Sequence, residues 1–174
     1  MKNIPEKILQ IRVLEGSSEL GGIVDITPPN FENQSEEITG AGIDGSYESS
    51  SVGGYSNLPL VLKHRVVPSI ASRRLMKPGA KDLTIYMAKQ IYNSESGETE
   101  IQKIEIQAKA THKSLNSGTT GPNTKQDAEQ TFNLLSYKET IDGEVAIEYD
   151  KFNQVCIIDG TDVLAEVRNA LGLS

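Results

Sequence analysis

The sequence predicts a mainly β fold, an antiparallel β-sandwich or barrel-like unit with a short mid-chain helix and a C-terminal helix. Three observations carry this expectation. Asp82 to Tyr92 alternates, with Leu83, Ile85, Met87 and Ile91 on one face and Thr84, Tyr86, Ala88 and Gln90 on the other. Glu100 to His112 alternates too, setting Ile104, Ile106, Ala108 and Ala110 against Lys103, Glu105, Gln107, Lys109 and Thr111. A period of two over this length describes strands with one wet face. Asp142-Gly143, between Thr131 to Ile141 and Glu144 to Asp150, is the dipeptide that suits a two-residue hairpin, because both positions need positive φ.

The remaining elements follow in chain order. Ile8 to Leu14 alternates weakly, Glu15-Gly16-Ser17-Ser18 turns it, and Leu20 to Ile26 returns as its partner until Pro28-Pro29 removes two ladder donors. Phe31 to Thr39 is polar and extended. Gly40 to Asn57 reads as a long Gly/Ser-rich loop, and loops of that length are functional or unstructured. Leu58 to Val67 is strand-like, with Leu58, Leu60, Leu62 and His64 sharing a parity. Pro68-Ser69 opens a short helix to Met76 that Lys77-Pro78-Gly79 stops. Asn93 to Glu98 is turn chemistry joining the two long alternating segments as an antiparallel hairpin. A second polar loop fills Leu115 to Asp127, reaching 113–130 with its flanks. Phe152 to Ile158 is the last strand. Thr161 is placed to cap a helix whose apolar stripe is Val163, Leu164, Val167 and Leu171 and which Gly172 ends. The sum is about seven to nine strands in one domain spanning 1–174.

Composition excludes several classes. The chain has 174 residues, a net charge of −7, 5% aromatic residues and no tryptophan. Residues 1–60 carry a charge of −6, 61–80 carry +5 through Lys63, Arg65, Arg73, Arg74 and Lys77, and 81–174 carry −6. Such a chain does not hold duplex DNA by counterion release. The basic segment 63–77 reads as a solvated face or a complement to an acidic neighbour. Cys156 stands alone in an apolar run and reads as a small core residue. No apolar stretch near the amino terminus resembles a secretion signal and none is long enough to span a bilayer, so synthesis in a reducing cytoplasm and no membrane contact are expected.

Chemistry is sparse. Gly40-Ala41-Gly42-Ile43-Asp44-Gly45 matches the spacing of a dinucleotide fingerprint, but it lacks the buried strand before it, the helix after it and the distant acid that the mechanism requires. Its glycines serve tight or closely approached backbone instead. His64 and His112 have no partners at metal-ligand spacing, no Ser, Cys or Lys lies in a nucleophile context, and Glu144 and Glu148 share a strand parity as solvated acids do. No catalytic, cofactor or metal site is expected.

The same GAGIDGS segment, Gly40 to Ser46, resembles the major tail tube protein of contractile-tailed bacteriophages. So do Ser96-Gly97-Glu98-Thr99, the run from Thr140-Ile141-Asp142-Gly143 through Tyr149-Asp150 to Asp159-Gly160-Thr161-Asp162-Val163-Leu164, and the closing Asn169-Ala170-Leu171-Gly172-Leu173. The likeness covers most of the chain in order and is poorest from Glu48 to Ala80. It implies a non-enzymatic β-sandwich subunit with a flanking helix, which forms six-membered rings stacked into a tube inside a sheath, in a virion made in the host bacterial cytoplasm. Tail sheath, tape-measure and baseplate proteins would be its partners, and DNA would pass without tight binding. On this reading the polar face of Asp82 to Asp150 is expected to line an acid-leaning bore, with Glu105, Gln107, Glu144 and Glu148 as candidates. Gly40, Gly42, Asp44, Gly45 and Tyr47 of one loop, and Gly118, Gly121 and Pro122 of the other, are expected to contact neighbouring subunits. A tube of a phage-derived bacteriocin or secretion apparatus, a monomeric ligand-binding β-sandwich and a carboxylate hydrolase are the alternatives. The aromatic-poor composition weakens the second, and no constellation supports the third.

Overall fold

A computed structural model describes residues 3–40, 42, 44–66 and 70–173. Among them are strands β1 (Asn3–Glu15), β2 (Ser18–Glu19), β3 (Ile23–Thr27), β4 (Asn33–Thr39), β5 (Ser46–Tyr55), β6 (Pro59–His64), β7 (Ala80–Asn93), β8 (Thr99–Asn116), β9 (Ala128–Ile141), β10 (Glu144–Asp150), β11 (Val155–Ile158) and β12 (Thr161–Asp162), with helices α1 (Ile70–Arg74) and α2 (Ala165–Ala170). All pairings are antiparallel. The expected fold class holds, and the sheet does not close into a barrel. One sheet of ten strands runs β12-β11-β10-β9-β8-β7-β1-β2, with a β3–β6 arm joined to β9, while β4 and β5 form a separate two-stranded sheet.

The long alternating segments pair as their patterns require. β7 and β8 run in unbroken register from Ala80↔Thr111 to Tyr92↔Thr99. Asn93 builds their turn, its Oδ1 accepting from the Glu95 and Ser96 amides. Asp142 (φ 50°) and Gly143 (φ 95°) take the paired positive φ angles of the expected tight turn, leaving Ile141 opposite Glu144. Asp159 and Gly160 repeat the device between β11 and β12.

β9 organises the core. Its first half pairs with β6 (Asn133↔Pro59 to Ala128↔His64) and its second half with β10 (Ser136↔Asp150 to Ile141↔Glu144), while β8 runs along its other edge throughout. A bulge at Leu135, where Lys109 faces Ser136 and Ala110 faces Leu134, sits at this change of partner. It also shifts the parity: Ala128, Gln130, Phe132 and Leu134 are buried before it and Tyr137 after it. The arm thus folds over β7–β8–β9, and Leu60, Leu62, Leu83, Ile85, Ile106 and Phe132 meet in one cluster, each 0–1% exposed. Complete burial of such side chains contributes roughly 1.5–3 kcal/mol each. Leu75, just after α1, joins this cluster, and within α1 the Ser72 carbonyl accepts a hydrogen bond from Gln130 Nε2.

Several expectations need correction. The return from the first turn is only Ser18–Glu19; Gly21-Gly22 then breaks it, and Ile23–Thr27 pairs with β6 instead of β1. Gly40 to Asn57 is not a loop through most of its length, because Ser46–Tyr55 is a strand paired with Asn33–Thr39. The second loop is shorter than 113–130: β8 extends to Asn116 and β9 begins at Ala128. Its chain between them is tied by Thr119 N–H to the Gln126 carbonyl and by Gln126 N–H to the Arg65 carbonyl. Phe152 belongs to a turn and the last long strand starts at Val155. Thr161 lies in β12, and α2 starts after Leu164, whose amide donates to Asp162 Oδ1. The expected strand end at Val67, helix start at Pro68-Ser69, and the Ala41 and Ile43 of the glycine motif lie outside the described residues.

Candidate functional site: a polar sheet face and a separate hairpin

Cross-strand partners share a face, so the registers fix which side chains stand together. Thr84, Gln107, Lys138 and Glu148 form one row across β7, β8, β9 and β10, and Tyr86, Glu105 and Thr140 form the next. Three of the four candidate bore residues, Glu105, Gln107 and Glu148, therefore lie on one continuous polar face. Glu144 does not join them. The bulge between Val145 and Ile147 reverses the parity of β10, so Glu144 stands opposite Ile141 while Glu148 stands opposite Lys138. Shared numerical parity failed as a guide because an extra residue resets it.

The face is laced with ion pairs rather than acid-leaning. Lys103 Nζ lies 2.7 Å from Glu105, which also accepts from Gln107 Nε2 at 2.9 Å. These two donors hold the Glu105 carboxyl below its ordinary pKa, Lys103 contributing most. Lys138 pairs with Glu148 at 2.9 Å and Lys109 approaches Asp82 at 4.0 Å. Lys103 also stands 5.1 Å over the Tyr86 ring. Each exposed pair contributes little to stability, about 0–1 kcal/mol. Together they leave a wetted surface of mixed sign with no strong net field.

The β4–β5 hairpin is the second feature. None of β4 is buried, and Tyr47 and Val52 on β5 are 53% and 63% exposed. Only its base is anchored. Tyr55 packs edge-on against Phe31 and Tyr149, and Gly53 (φ 60°) lies so close to α2 that an added Cβ would stand 2.7 Å from Leu164 Cδ2. Gly42 and Gly45 take positive φ but have nothing within 4 Å of a Cβ, so within one chain they supply tight turns without close approach. Gly118 in the other loop does meet close backbone, since a Cβ there would fall 1.7 Å from the Gln126 carbonyl oxygen. Asp44, Gly40 and Pro122 are exposed and Gly121 is half-buried.

The isolated polar residues are structural in placement. Cys156 is fully buried, its thiol within 3.9 Å of the Tyr55 hydroxyl, and burial raises its pKa. His64 is 1% exposed, its ring nitrogens lack a well-formed hydrogen bond among the described residues, and burial lowers its pKa. His112 packs edge-on to Phe132. Arg168 of α2 donates to Asp162 and to the Gln154 carbonyl, and this guanidinium holds the Asp162 carboxyl below the usual range. Sequence reading missed the hairpin: Ile38 is the one apolar residue of β4, and its cross-strand partner Tyr47 stands among serines and Glu48, too polar a pattern to register as strands.

Comparison with known proteins gives a coherent result. No curated protein matches the chain. Among solved structures, it is similar to a chain from the sheath/tube terminator of an extracellular contractile injection system, PVC, in its extended state. The TM-score is 0.54 at 14% identity, covering 79% of this chain and 97% of that one. A chain from the sheath–tube complex of the same kind of system aligns at TM-score 0.46 and 14% identity, over 76% of this chain and 86% of that one. The family model for phage tail tube protein FII matches residues 5–172. The chain belongs to the phage tail tube protein FII family, a family of structural proteins and not of enzymes, and is a tail tube subunit.

Proposed function

We propose that six copies close into a ring, that rings stack into the inner tube of a contractile tail, and that the polar face of β7–β10 lines the bore through which DNA passes. The observation that carries this reading is the uncovered polar face itself: four adjacent strands present paired charges and amides to solvent while their other face is core. The size is consistent. Strands about 4.8 Å apart and tilted roughly 40°, four from each of six copies, give a perimeter of roughly 150 Å and a backbone diameter of about 48 Å. Side chains on the inner wall leave about 35–40 Å, room for a duplex, whereas a single copy closing on itself would have a filled interior.

The mixed charge suits passage. A lysine-rich wall would condense on DNA, with one phosphate charge per roughly 1.7 Å, while lysines already paired with Glu105, Asp82 and Glu148 offer it little. Glu105, Gln107 and Glu148 are the bore residues in this assembly. Residues Gly40 to Tyr47 and the Gly118–Pro122 loop contact neighbours, and sheath, tape-measure and baseplate proteins bind the outside and ends. Negative-stain images of the purified protein at high concentration should show rings or hollow rods; discrete monomers at every concentration would reject the proposal. Protease cleavage within 40–57 should slow on assembly, and equal cleavage in both states would count against its contacts. The same build in an injection system would carry another payload, and capsid and terminase genes beside this one would decide for DNA.

A further inference from the structure

Two segments of this chain carry charge of a single sign, and among the described residues no ion pair joins them. The stretch 32–55, which holds the β4–β5 hairpin, carries Glu32, Glu36, Glu37, Asp44 and Glu48 and no lysine or arginine. The segment 63–77 around α1 carries Lys63, Arg65, Arg73, Arg74 and Lys77 and no acid. Among the described residues, Lys63 pairs with Glu129 of β9, and no ion pair joins Glu36, Glu37 or Glu48 to a base or Arg65, Arg74 or Lys77 to a carboxylate.

Three further observations make this a two-sided surface. Glu37 lies directly opposite Glu48 on the paired strands, an arrangement of like charges that destabilises a hairpin left to itself. Among the described residues, Glu37 accepts from the Ser46 hydroxyl and Glu48 from the Ser35 hydroxyl. Both segments also expose large apolar side chains: Ile38, Tyr47 and Val52 on the hairpin, where Ile38 and Tyr47 share a face with Glu36, and Val66, Ile70 and Met76 around α1. Finally, they leave the core at opposite ends of β6. The hairpin enters β6 at Pro59 and the basic segment follows its other end at His64, a separation of roughly 17–20 Å for six residues. A two-stranded sheet with no buried face is marginal alone, and complementary patches at two ends of one molecule make a head-to-tail contact that propagates without closing on a dimer.

We propose that the acidic β4–β5 hairpin of one copy docks on the basic residues around α1, Arg65, Arg74 and Lys77, of another copy. The contact sets the hairpin's acids, Glu36 beside Ile38 and Tyr47 on one face and Glu37 with Glu48 on the other, against these bases, while Val66, Ile70 and Met76 meet the apolar face. The inference rests on the ring-and-tube reading and names the two surfaces that join copies within it. Charge reversal tests it. A hairpin variant (Glu36→Lys, Glu37→Lys, Glu48→Lys) and a segment variant (Arg65→Glu, Arg74→Glu, Lys77→Glu) should each keep the wild-type circular dichroism. Each alone should lose rod formation at least tenfold by light scattering and electron microscopy.

An equimolar mixture should recover rods, because each reversed surface then finds its complement on the other variant. Either variant assembling like the wild type, or a mixture that stays arrested, overturns the pairing while wild-type rods leave the ring reading intact. A wild type that makes neither rings nor rods overturns both. If a reversed variant misfolds, a neutral hairpin variant (Glu36→Gln, Glu37→Gln, Glu48→Gln) decides. Its assembly should lose most of the wild-type dependence on salt, and an unchanged salt dependence overturns the pairing.

Discussion

Along β8, Ile104, Ile106, Ala108 and Ala110 are all buried, whereas along β4 no residue is. Both are antiparallel strands paired to a neighbour, β8 to β7 without a break and β4 to β5 with one irregularity between Asn33 and Ser35. In the slab of β7, β8 and β9, slipping one residue would turn a whole apolar row to water, so register is held by burial. In the hairpin a slip would exchange one polar row for another, and backbone hydrogen bonds with two serine–glutamate contacts are what hold it. The slab carries the stability of the molecule. The hairpin packs at its base, through Tyr55 and Gly53, and buries none of β4.

Four measurements test this contrast, in decreasing size of effect. Phe132→Ala removes the largest fully buried side chain, between β6 and β8, and should cost about 3–5 kcal/mol in denaturant unfolding. A smaller loss than for a hairpin substitution would end the claim that the slab dominates. Gly53→Ala places a Cβ against Leu164 at a positive φ and should cost about 1–3 kcal/mol, freeing the hairpin base from α2. Hydrogen exchange would show it as faster exchange in β5 with β8 unchanged, and uniform change would deny that the base is a separate anchor.

Acid should act on the core through His64, at the end of β6. Burial lowers its folded-state pKa below the unfolded value of about 6.5. The unfolded chain therefore binds more protons in the window beneath about 6.5, and stability falls as pH drops through it. Thermal melts between about pH 7 and 5 should show this decline, and a His64→Leu variant should flatten it; an identical slope in both would remove His64 as its source. The smallest effect belongs to Glu37→Gln, which relieves the facing Glu48 and should change monomer stability by only about 0.2–1 kcal/mol, in the stabilising direction. A marked loss would mean that the hairpin is held internally rather than kept for a partner.

The legible parts of the sequence were those where one physical requirement dominates. The buried rows of β7 and β8 and the Asp142-Gly143 turn each follow from a local rule, water exclusion in the first case and positive φ in the second. The buried parity of Leu58, Leu60, Leu62 and His64 followed likewise. The β4–β5 hairpin was illegible because its strands bury nothing, so no periodicity marks them and their serines and glycines read as loop. Glu144 was misplaced beside Glu148 because a bulge leaves no trace in composition.

What the sequence determined alone is local: which segments extend, where they turn, and which residues avoid water. The tertiary structure decided three things that depend on chain segments far apart. β9 exchanges β6 for β10 across the Leu135 bulge, which requires both partners to be present at once. The lysines of the polar face are neutralised by carboxylates on the same or neighbouring strands, so its electrostatic character is a property of register and not of net charge. The acidic hairpin and the basic α1 segment stand at opposite ends of β6 because a strand, unlike a turn, carries the chain across the molecule before releasing it.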